Sequence, residues 1–238
     1  MMRFINPAKI TLYLLYAVLC GVLWCGPAAG HNSAQGGTAV QPQARKTSPP
    51  YSGDFSVFET KDRAQKLQVE RVMDILGIKP GITVADIGAG SGWFTVRAAR
   101  RIGSASKVYA VDINPDFLQH IRQRAQRDGL RNIETILDKD DDPLLPPRSV
   151  DSVLLLKTYH EVAKPVPFLN NLRKALKPGA RVGIIDRNGK GDDHGIDAAV
   201  VIEEARQAGY KIAGRYDFVK GDEGVEYFLV FVARHDGN

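Results

Sequence analysis

The sequence predicts an α/β fold in which helices cover both faces of a seven-stranded, mostly parallel sheet. Short apolar runs typical of buried strands alternate along the chain with segments whose apolar residues recur at helical spacing. The last two strands break this alternation, because only a glycine-containing connection, residues 221–224, separates them. Strands joined in this way pair side by side in opposite directions. We therefore expect three layers, with an antiparallel strand at one edge of the sheet.

The predicted elements follow one another in a regular order. Seven strands are expected at residues 83–87, 107–112, 133–137, 150–156, 181–186, 210–218 and 226–233. Five helices are expected near residues 61–77, 95–102, 115–129, 168–176 and 201–208. Residues 138–149, between the third and fourth strands, include Pro143, Pro146 and Pro147. This crossover should therefore lack a full helix.

The first 54 residues are expected to lie outside the folded domain. Arg3 and Lys9 precede an apolar run at residues 10–25, and small residues follow it. A basic start, a short apolar run and a small-residue exit are the pattern of a secretory signal peptide, here residues 1–30. Residues 31–54 are rich in Gly, Ser, Gln and Pro and are expected to form a flexible linker. The folded domain is then residues 55–238.

A signal peptide would place the domain outside the cytoplasm, in the periplasm or secreted. An uncleaved signal, with residues 10–25 as a membrane anchor, would leave the domain on the same side, and only this segment would then contact the membrane. Both cysteines, Cys20 and Cys25, lie in this segment. The folded domain would therefore contain no disulfide, thiolate metal site or cysteine nucleophile.

Composition and charge indicate a globular domain without a nucleic acid partner. The chain has 238 residues, of which 44% are hydrophobic, and can bury a sizeable core. The net charge is +5, and Arg3 and Lys9 supply two of these charges in a segment that has no acidic residue. The remaining basic excess is mild for a nucleic acid-binding protein. The sequence does not reveal an oligomeric state.

A glycine loop follows the first predicted strand. Its sequence is Asp86-Ile87-Gly88-Ala89-Gly90-Ser91-Gly92. In an open parallel sheet, ligands bind at the carboxyl ends of the strands, near the point where the strand order reverses. Glycines let the backbone approach a ligand closely, and Asp112, at the end of the second strand, can accept hydrogen bonds from two ribose hydroxyls. The sequence therefore predicts a nucleoside site.

The loop differs from two other nucleotide-binding motifs. A dinucleotide fingerprint requires a glycine where this chain has Trp93, and a pyrophosphate would gain nothing from a carboxylate at Asp86. Gly189-Lys190 is followed by Gly191 rather than by Ser or Thr, so it is not a P-loop. An NAD-dependent oxidoreductase is therefore disfavoured, and measurable NAD affinity would be needed to restore it.

Over about residues 61–234, the chain resembles the class I S-adenosylmethionine-dependent methyltransferases, which have a Rossmann-like sheet. The glycine motif of that family is an acid, one residue and then Gly-x-Gly-x-Gly. Its required positions are matched by Asp86, Gly88, Gly90 and Gly92. The resemblance implies that S-adenosylmethionine is the cofactor, that Gly88 and Gly90 pack under it together with Ala89, and that Asp86 helps to hold its amino-acid end.

The resemblance also implies roles at the ends of the second and third strands. Asp112 would bind the ribose, and Ile113 would lie on the adenine. Asp138 matches the usual partner of the exocyclic amine of adenine, although other acids compete for this role. The competing acids are Asp140, Asp141 and Asp142.

The segment after the fourth strand should face the transferred methyl group. In-line transfer mainly requires alignment, and a base is needed only when the acceptor is a hydroxyl or a protonated amine. His160 is the candidate base, because a histidine titrates near neutral pH, and the neighbouring Tyr159 is a second catalytic candidate. Alternatively, His160 only hydrogen-bonds to nearby groups.

A small-molecule acceptor is expected. Residues 157–161 lack the Asn/Asp-Pro-Pro-Tyr/Phe motif of enzymes that methylate exocyclic or amide nitrogens. No insertion is long enough for a substrate domain. The acceptor must therefore be held by the segment before the first helix and by the loops after the fourth and fifth strands.

No metal is expected. The acids around Asp192, Asp193 and His194 could be ligands, but they also suit the positive start of the following helix. Catechol-type methyltransferases hold magnesium with an acid after the fourth strand and an Asp-Asn pair after the fifth, whereas this chain has Lys157 and Asp186-Arg187-Asn188 there.

Two functions stay open at this point. The first is methyl transfer from S-adenosylmethionine to a small molecule. The second is an exported protein that binds S-adenosylmethionine or a related nucleoside without transferring its methyl group. The second is kept because S-adenosylmethionine is made in the cytoplasm, and a signal peptide would take the domain away from it.

Overall fold

A computed structural model describes residues 44–49, 51, 53–221 and 224–234. The predicted signal peptide, with Cys20 and Cys25, lies outside these described residues, as do residues 222–223 in the last predicted connection. Within the described part of the chain, no helix has the length and apolar character needed to cross a membrane.

The described domain contains the predicted sheet. Its seven strands are β1 (Val84–Ile87), β2 (Val108–Asp112), β3 (Ile133–Leu137), β4 (Val150–Leu156), β5 (Leu176–Asp186), β6 (Tyr210–Tyr216) and β9 (Tyr227–Ala233). Their spatial order is β3-β2-β1-β4-β5-β9-β6, and the first five pair in parallel. A separate hairpin is formed by two strands of two residues each, β7 (Lys220–Gly221) and β8 (Gly224–Val225). The predicted fold class is confirmed.

The antiparallel strand is the last one, and it lies one place in from the edge. β9 inserts between β5 and β6 and runs antiparallel to both. Its first five residues are all buried, as in a strand inside the sheet, whereas only the first residue of β6 is buried, as expected for an edge strand. The sequence signalled the antiparallel pairing of the last two strands but not which of them lies outermost.

Six helices cover the two faces of the sheet. They are α1 (Arg63–Leu67), α2 (Val69–Ile75), α3 (Trp93–Ile102), α4 (Pro115–Arg127), α5 (Pro165–Ala175) and α6 (Ala198–Gln207). One apolar cluster joins the sheet to α5 and α6, and a second joins its other face to α2 and α3. No helix connects β3 to β4, as the prolines there predicted.

The first predicted helix is divided at Gln68. Its backbone is left-handed, with φ of 47° and ψ of 50°, and this residue ends α1 and begins α2. The Gln68 side-chain amide donates to the Phe218 carbonyl at 3.1 Å. Hydrophobic spacing alone cannot reveal this break, because apolar residues lie on the same face on both sides of it.

The predicted linker is too long at its carboxyl end, because residues 44–49 pack against the domain. The Arg45 guanidinium donates to Glu204 on α6 at 2.8 Å and also to the Tyr159 carbonyl. Ser48 is buried, and its backbone N–H donates to the Gly191 carbonyl at 2.9 Å. Composition predicted flexibility, but an ion pair with a largely buried carboxylate fixes this part of the segment.

Glu204→Ala is expected to lower the free energy of unfolding by about 2–4 kcal/mol, because Arg45 and the Tyr159 hydroxyl would lose a partner in a largely buried site. Denaturant unfolding of the full chain measures this change. The control is Glu203→Ala, since Glu203 is exposed and pairs only with side chains of its own helix among the described residues. Equal stability of the two variants would show that the Arg45 contact contributes nothing.

Candidate functional site

A cavity of about 350 Å³ opens where the carboxyl ends of the parallel strands meet. It lies at the switch point of the sheet, because β1 has β2 on one side and β4 on the other. Seven of the eight predicted cofactor residues line it: Asp86, Gly88, Ala89, Gly90, Asp112, Ile113 and Asp138. The eighth, Gly92, begins α3 outside the cavity lining.

The glycine loop turns between β1 and α3 with backbone angles that glycine tolerates. Gly88 has φ of 67° and Gly90 has φ of 53°. A Cβ atom on Gly88 would lie 2.2 Å from the Thr158 side chain, so the end of β4 requires a glycine at this position. Gly92 instead allows close packing of α3, since its Cβ would lie 2.9 Å from Ile121.

The Asp112 carboxylate links the end of β2 to the glycine loop through a hydrogen bond. Its Oδ2 accepts from the Gly90 N–H at 2.8 Å, and its Oδ1 accepts from the Asn114 N–H at 2.9 Å. Burial raises the pKa of Asp112, and these N–H donors oppose that rise. Each carboxylate oxygen keeps a second lone pair, so the group can also accept hydrogen bonds from a ligand in the cavity.

Asp86, at the end of β1, is a buried carboxyl that faces the same cavity. It is 2% exposed and accepts from the Thr95 hydroxyl at 2.5 Å. Burial raises its pKa to about 7, and the positive charge of Arg63 acts in the opposite direction. A cation bound in the cavity would favour the charged form.

Two of the four acids that could bind the exocyclic amine line the cavity. Asp138 and Asp140 line the cavity, whereas Asp141 and Asp142 do not. The Oδ1 atom of Asp138 is buried and has no hydrogen-bond partner among the described residues, and burial raises the pKa of this carboxyl to about 7. An unpaired buried acceptor suits a ligand that brings an N–H donor.

Ile113 presents an apolar surface to the cavity next to these acids. It is 42% exposed, which is high for a large aliphatic side chain. A flat ring laid on this side chain would remove it from water. The placement agrees with the role that the resemblance implied.

Besides residues of α1, α3, α4 and α5, three further segments line the cavity, and the sequence did not indicate one of them. Tyr51 and Phe58 precede α1, and Lys157, Thr158 and Glu161 follow β4, as expected for acceptor contacts. The loop after β5 contributes no residue to the described lining. Its expected place is taken by the hairpin, through Lys220 and Gly221.

Tyr159 and His160 lie in a short 3-10 turn, Tyr159–Glu161, and do not line the cavity. Tyr159 is fully buried, and its hydroxyl donates to Glu204 on α6 at 2.8 Å. Its position therefore gives no support to a catalytic role. His160 is 4% exposed, and its Nδ1 contacts the Asp186 carboxylate at 2.9 Å.

His160 is oriented by its partner at the end of β5. Asp186 also accepts from the His160 backbone N–H at 3.1 Å. With the Nδ1 proton donated to Asp186, the ring carries its lone pair on Nε2. That atom lies 3.9 Å from Oε1 of Glu161, which lines the cavity. His160 is therefore one side chain behind the cavity wall.

Comparison with known proteins gives the family. A family model described as a methyltransferase domain matches residues 78–212, which include β1 to β5 and the glycine loop. The chain belongs to this methyltransferase family. This family match confirms the expectation of an enzyme of the class I type. The family implies S-adenosylmethionine as the cofactor.

Curated relatives match the central part of this chain. The 2-phytyl-1,4-naphtoquinone methyltransferase of Trichormus variabilis is 33% identical over 111 residues, 46% of this chain and 48% of the relative. The demethylmenaquinone methyltransferase of Tropheryma whipplei is 36% identical over 112 residues, 47% of this chain and 44% of the relative. The matches thus span about half the length of these relatives.

Solved structures share the fold of this chain. A methyltransferase from Aquifex aeolicus, described as SAM dependent, has a TM-score of 0.66 and 23% identity and covers 76% of this chain and 100% of its own. The PH0226 protein from Pyrococcus horikoshii has a TM-score of 0.61 and 15% identity, with 78% and 96% covered.

The cavity has groups that fit S-adenosylmethionine, the cofactor that the family implies. The left-handed glycines leave the loop backbone open to a ligand, and Asp86 offers a carboxylate to a cationic amino-acid end. The unpaired Oδ1 of Asp138 offers an acceptor for an exocyclic amine. The residues present are therefore compatible with S-adenosylmethionine.

Proposed function

We propose that this protein transfers a methyl group from S-adenosylmethionine to a small-molecule acceptor. The observation that carries the proposal is that the glycine loop and Asp112 are joined by a hydrogen bond at a cavity that residues after β4 also line. The cavity, about 350 Å³, suits a cofactor and a small acceptor. Relatives named for naphthoquinone and menaquinone compounds support a small molecule.

The chemistry assigns different tasks to the cofactor and to the chain. When bound, S-adenosylmethionine supplies an electrophilic methyl group on a sulfonium. The residues of the chain hold donor and acceptor in line and exclude water. This positioning supplies most of the acceleration in such a displacement. A hydroxyl or protonated amine acceptor must also lose a proton.

We propose that His160 acts at the acceptor through its Nε2 lone pair. Its support is the hydrogen bond from Nδ1 to Asp186, which fixes the ring, and the proximity of Nε2 to the cavity-lining Glu161. The Nε2 lone pair is therefore oriented before the acceptor binds. Tyr159 has no proposed catalytic role, because its hydroxyl donates a hydrogen bond to Glu204.

Binding of S-adenosylmethionine is expected to tighten roughly tenfold between about pH 5.5 and pH 7, because burial raises the pKa of Asp86 to about 7. Below that pH the ligand-free protein holds the Asp86 proton. The cationic amino-acid end of the cofactor favours the ionised carboxylate, so binding at low pH must release this proton and is weakened. Calorimetric titration across this pH range measures the effect.

Asp86→Asn is the matched variant for this pH dependence, since the amide keeps the shape of the side chain and its contact with Thr95 but cannot ionise. Its affinity should vary little between pH 5.5 and pH 7. An equally steep dependence in the variant would assign the effect to another group and remove Asp86 from the cofactor site.

The proposed reaction is tested by incubating the full-length protein with methyl-tritiated S-adenosylmethionine and a metabolite extract, then counting label in low-molecular-mass products. Transfer above that of a heat-inactivated sample is the expected result. Binding of the cofactor without labelled product would support the alternative, a nucleoside-binding protein that performs no transfer.

We also propose that the protein is exported, with the domain in the periplasm or secreted. The support is the sequence of residues 1–30 alone, with Arg3 and Lys9 before an apolar run. Fractionation of the host with amino-terminal sequencing of the mature protein tests this. A chain that begins at His31 in an extracytoplasmic fraction is expected, and a cytoplasmic chain that begins at its first methionine would contradict the proposal.

A further inference from the structure

Three side chains that commonly bind metals meet behind the acceptor end of the cavity. His160 and Glu161 follow β4, and His194 lies in the loop between β5 and α6. One ligand atom from each of the three lies within 4.8 Å of the others. The two imidazole rings are perpendicular, with their centroids 5.9 Å apart and an interplanar angle of 85°. Residues more than thirty positions apart thus converge on one point.

Asp186 gives His160 the environment of a metal-bound histidine. Metal-ligating histidines almost always donate their second ring nitrogen to a carboxylate or carbonyl, which fixes the tautomer and raises the basicity of the ligand. The Nδ1 atom of His160 has this contact with the carboxylate of Asp186, at 2.9 Å to one oxygen and 3.0 Å to the other. Asp186 is 1% exposed, so the orientation is set inside the protein.

The backbone of His194 is held in place by contacts with the Ser48 and Arg187 side chains. Its backbone has φ of 58°, a left-handed conformation that is unusual for a non-glycine residue. Its N–H donates to the Ser48 hydroxyl at 2.9 Å, and its carbonyl accepts from the Arg187 Nε at 3.1 Å. The loop is therefore tied both to the segment at residues 44–49 and to the end of β5.

Glu161 provides the third group and links the cluster to the cavity. Its side chain lines the cavity, while its Oε1 lies 3.9 Å from Nε2 of His160. An ion held by Glu161 would therefore face the space assigned to the methyl acceptor.

We propose that His160, Glu161 and His194 bind one divalent transition-metal ion, for which zinc is the best match, with an open coordination position towards the cavity. Two histidines and one glutamate form a known catalytic zinc set, whereas magnesium prefers oxygen ligands alone. Ligand atoms about 2.1 Å from zinc stand roughly 3.4 Å apart, so small rotations of Glu161 and His194 would close the set. This proposal departs from the expectation, drawn from the sequence, that the protein uses no metal.

The site deepens the proposed function, on which it rests, because it specifies the acceptor class. A small molecule with a phenol or enol hydroxyl would bind the open position through its oxygen. The ion lowers the pKa of that hydroxyl, and its proton passes to solvent. The O–CH3 bond then forms as the S–CH3 bond of the cofactor breaks, and S-adenosylhomocysteine leaves. The Nε2 lone pair of His160 then acts on the acceptor through the ion that it binds.

The test is titration of the full-length, tag-free and chelator-treated protein with cobalt(II), followed by its visible absorption, and with zinc(II) in competition. One tightly bound equivalent is expected, with the absorption of a four- or five-coordinate ion. His194→Ala should weaken binding at least about 100-fold, since it removes one of three ligands. The control is His120→Ala, because His120 stacks on Phe55 away from the cluster.

Glu161→Gln gives a second ligand variant of unchanged shape, and it should also weaken cobalt binding. Wild-type binding that His194→Ala and Glu161→Gln leave unchanged would overturn the metal site, as would the absence of any binding at high micromolar cobalt. S-adenosylmethionine is titrated into the same samples. If it binds while cobalt does not, the metal site alone is wrong, whereas a failure of S-adenosylmethionine to bind would contradict the proposed function itself.

Discussion

Asp112→Ala is expected to weaken the binding of S-adenosylmethionine by at least about 100-fold, equivalent to about 3 kcal/mol. Two losses add to this effect. The carboxylate would no longer accept hydrogen bonds from the ribose, and the Gly90 N–H, now bonded to Oδ2 at 2.8 Å, would lose the contact that shapes the glycine loop. Calorimetric titration of wild type and variant measures the change.

The control for Asp112 is Asp116→Ala. Asp116 is an exposed acid in the first turn of α4, close in sequence but outside the cavity lining. Its replacement should leave the affinity near that of wild type. If Asp112→Ala binds the cofactor as tightly as Asp116→Ala does, the cofactor does not occupy the cavity at the end of β2.

His160→Ala is expected to reduce turnover by about 10²–10⁴-fold while the affinity for S-adenosylmethionine stays near that of wild type. The separation of the two effects follows from position. His160 lies behind Glu161 and does not line the cavity, so the cofactor-binding groups keep their contacts. Single-turnover methyl transfer and cofactor titration on the same sample give both quantities.

His120→Ala is the matched control for turnover, because His120 is also a histidine but stacks on Phe55 outside the cavity lining. A His160→Ala variant that keeps full turnover would remove this residue from the mechanism. A variant that loses cofactor affinity to the same degree as turnover would show that it only supports the fold of the site.

Local patterns were sufficient to predict which residues gather at the glycine-loop end of the cavity. An apolar strand followed by glycines requires a turn at its carboxyl end, and β1 and β2 then bring Asp86 and Asp112 to the same edge of the sheet. Gly92 was also placed in the loop, but its task is helix packing, since its position begins α3 against Ile121. The motif alone could not distinguish these two uses of glycine.

The acceptor side depended on features that have no local pattern. The 3-10 turn at Tyr159–Glu161 sends Tyr159 towards α6, whereas Glu161 lines the cavity, and the residue types do not encode this turn. His194 approaches His160 only because the loop after β5 folds back against Ser48. The sequence placed these residues in separate segments and gave no measure of their distance.

The most direct test of the central claim is calorimetric titration of the wild-type, full-length protein with S-adenosylmethionine and with S-adenosylhomocysteine at pH 7. Each ligand is expected to bind with one-to-one stoichiometry, and the two should compete for one site. If neither ligand binds at millimolar concentration, the cavity at the ends of β1 and β2 is not a site for this cofactor, and the proposed methyl transfer is contradicted.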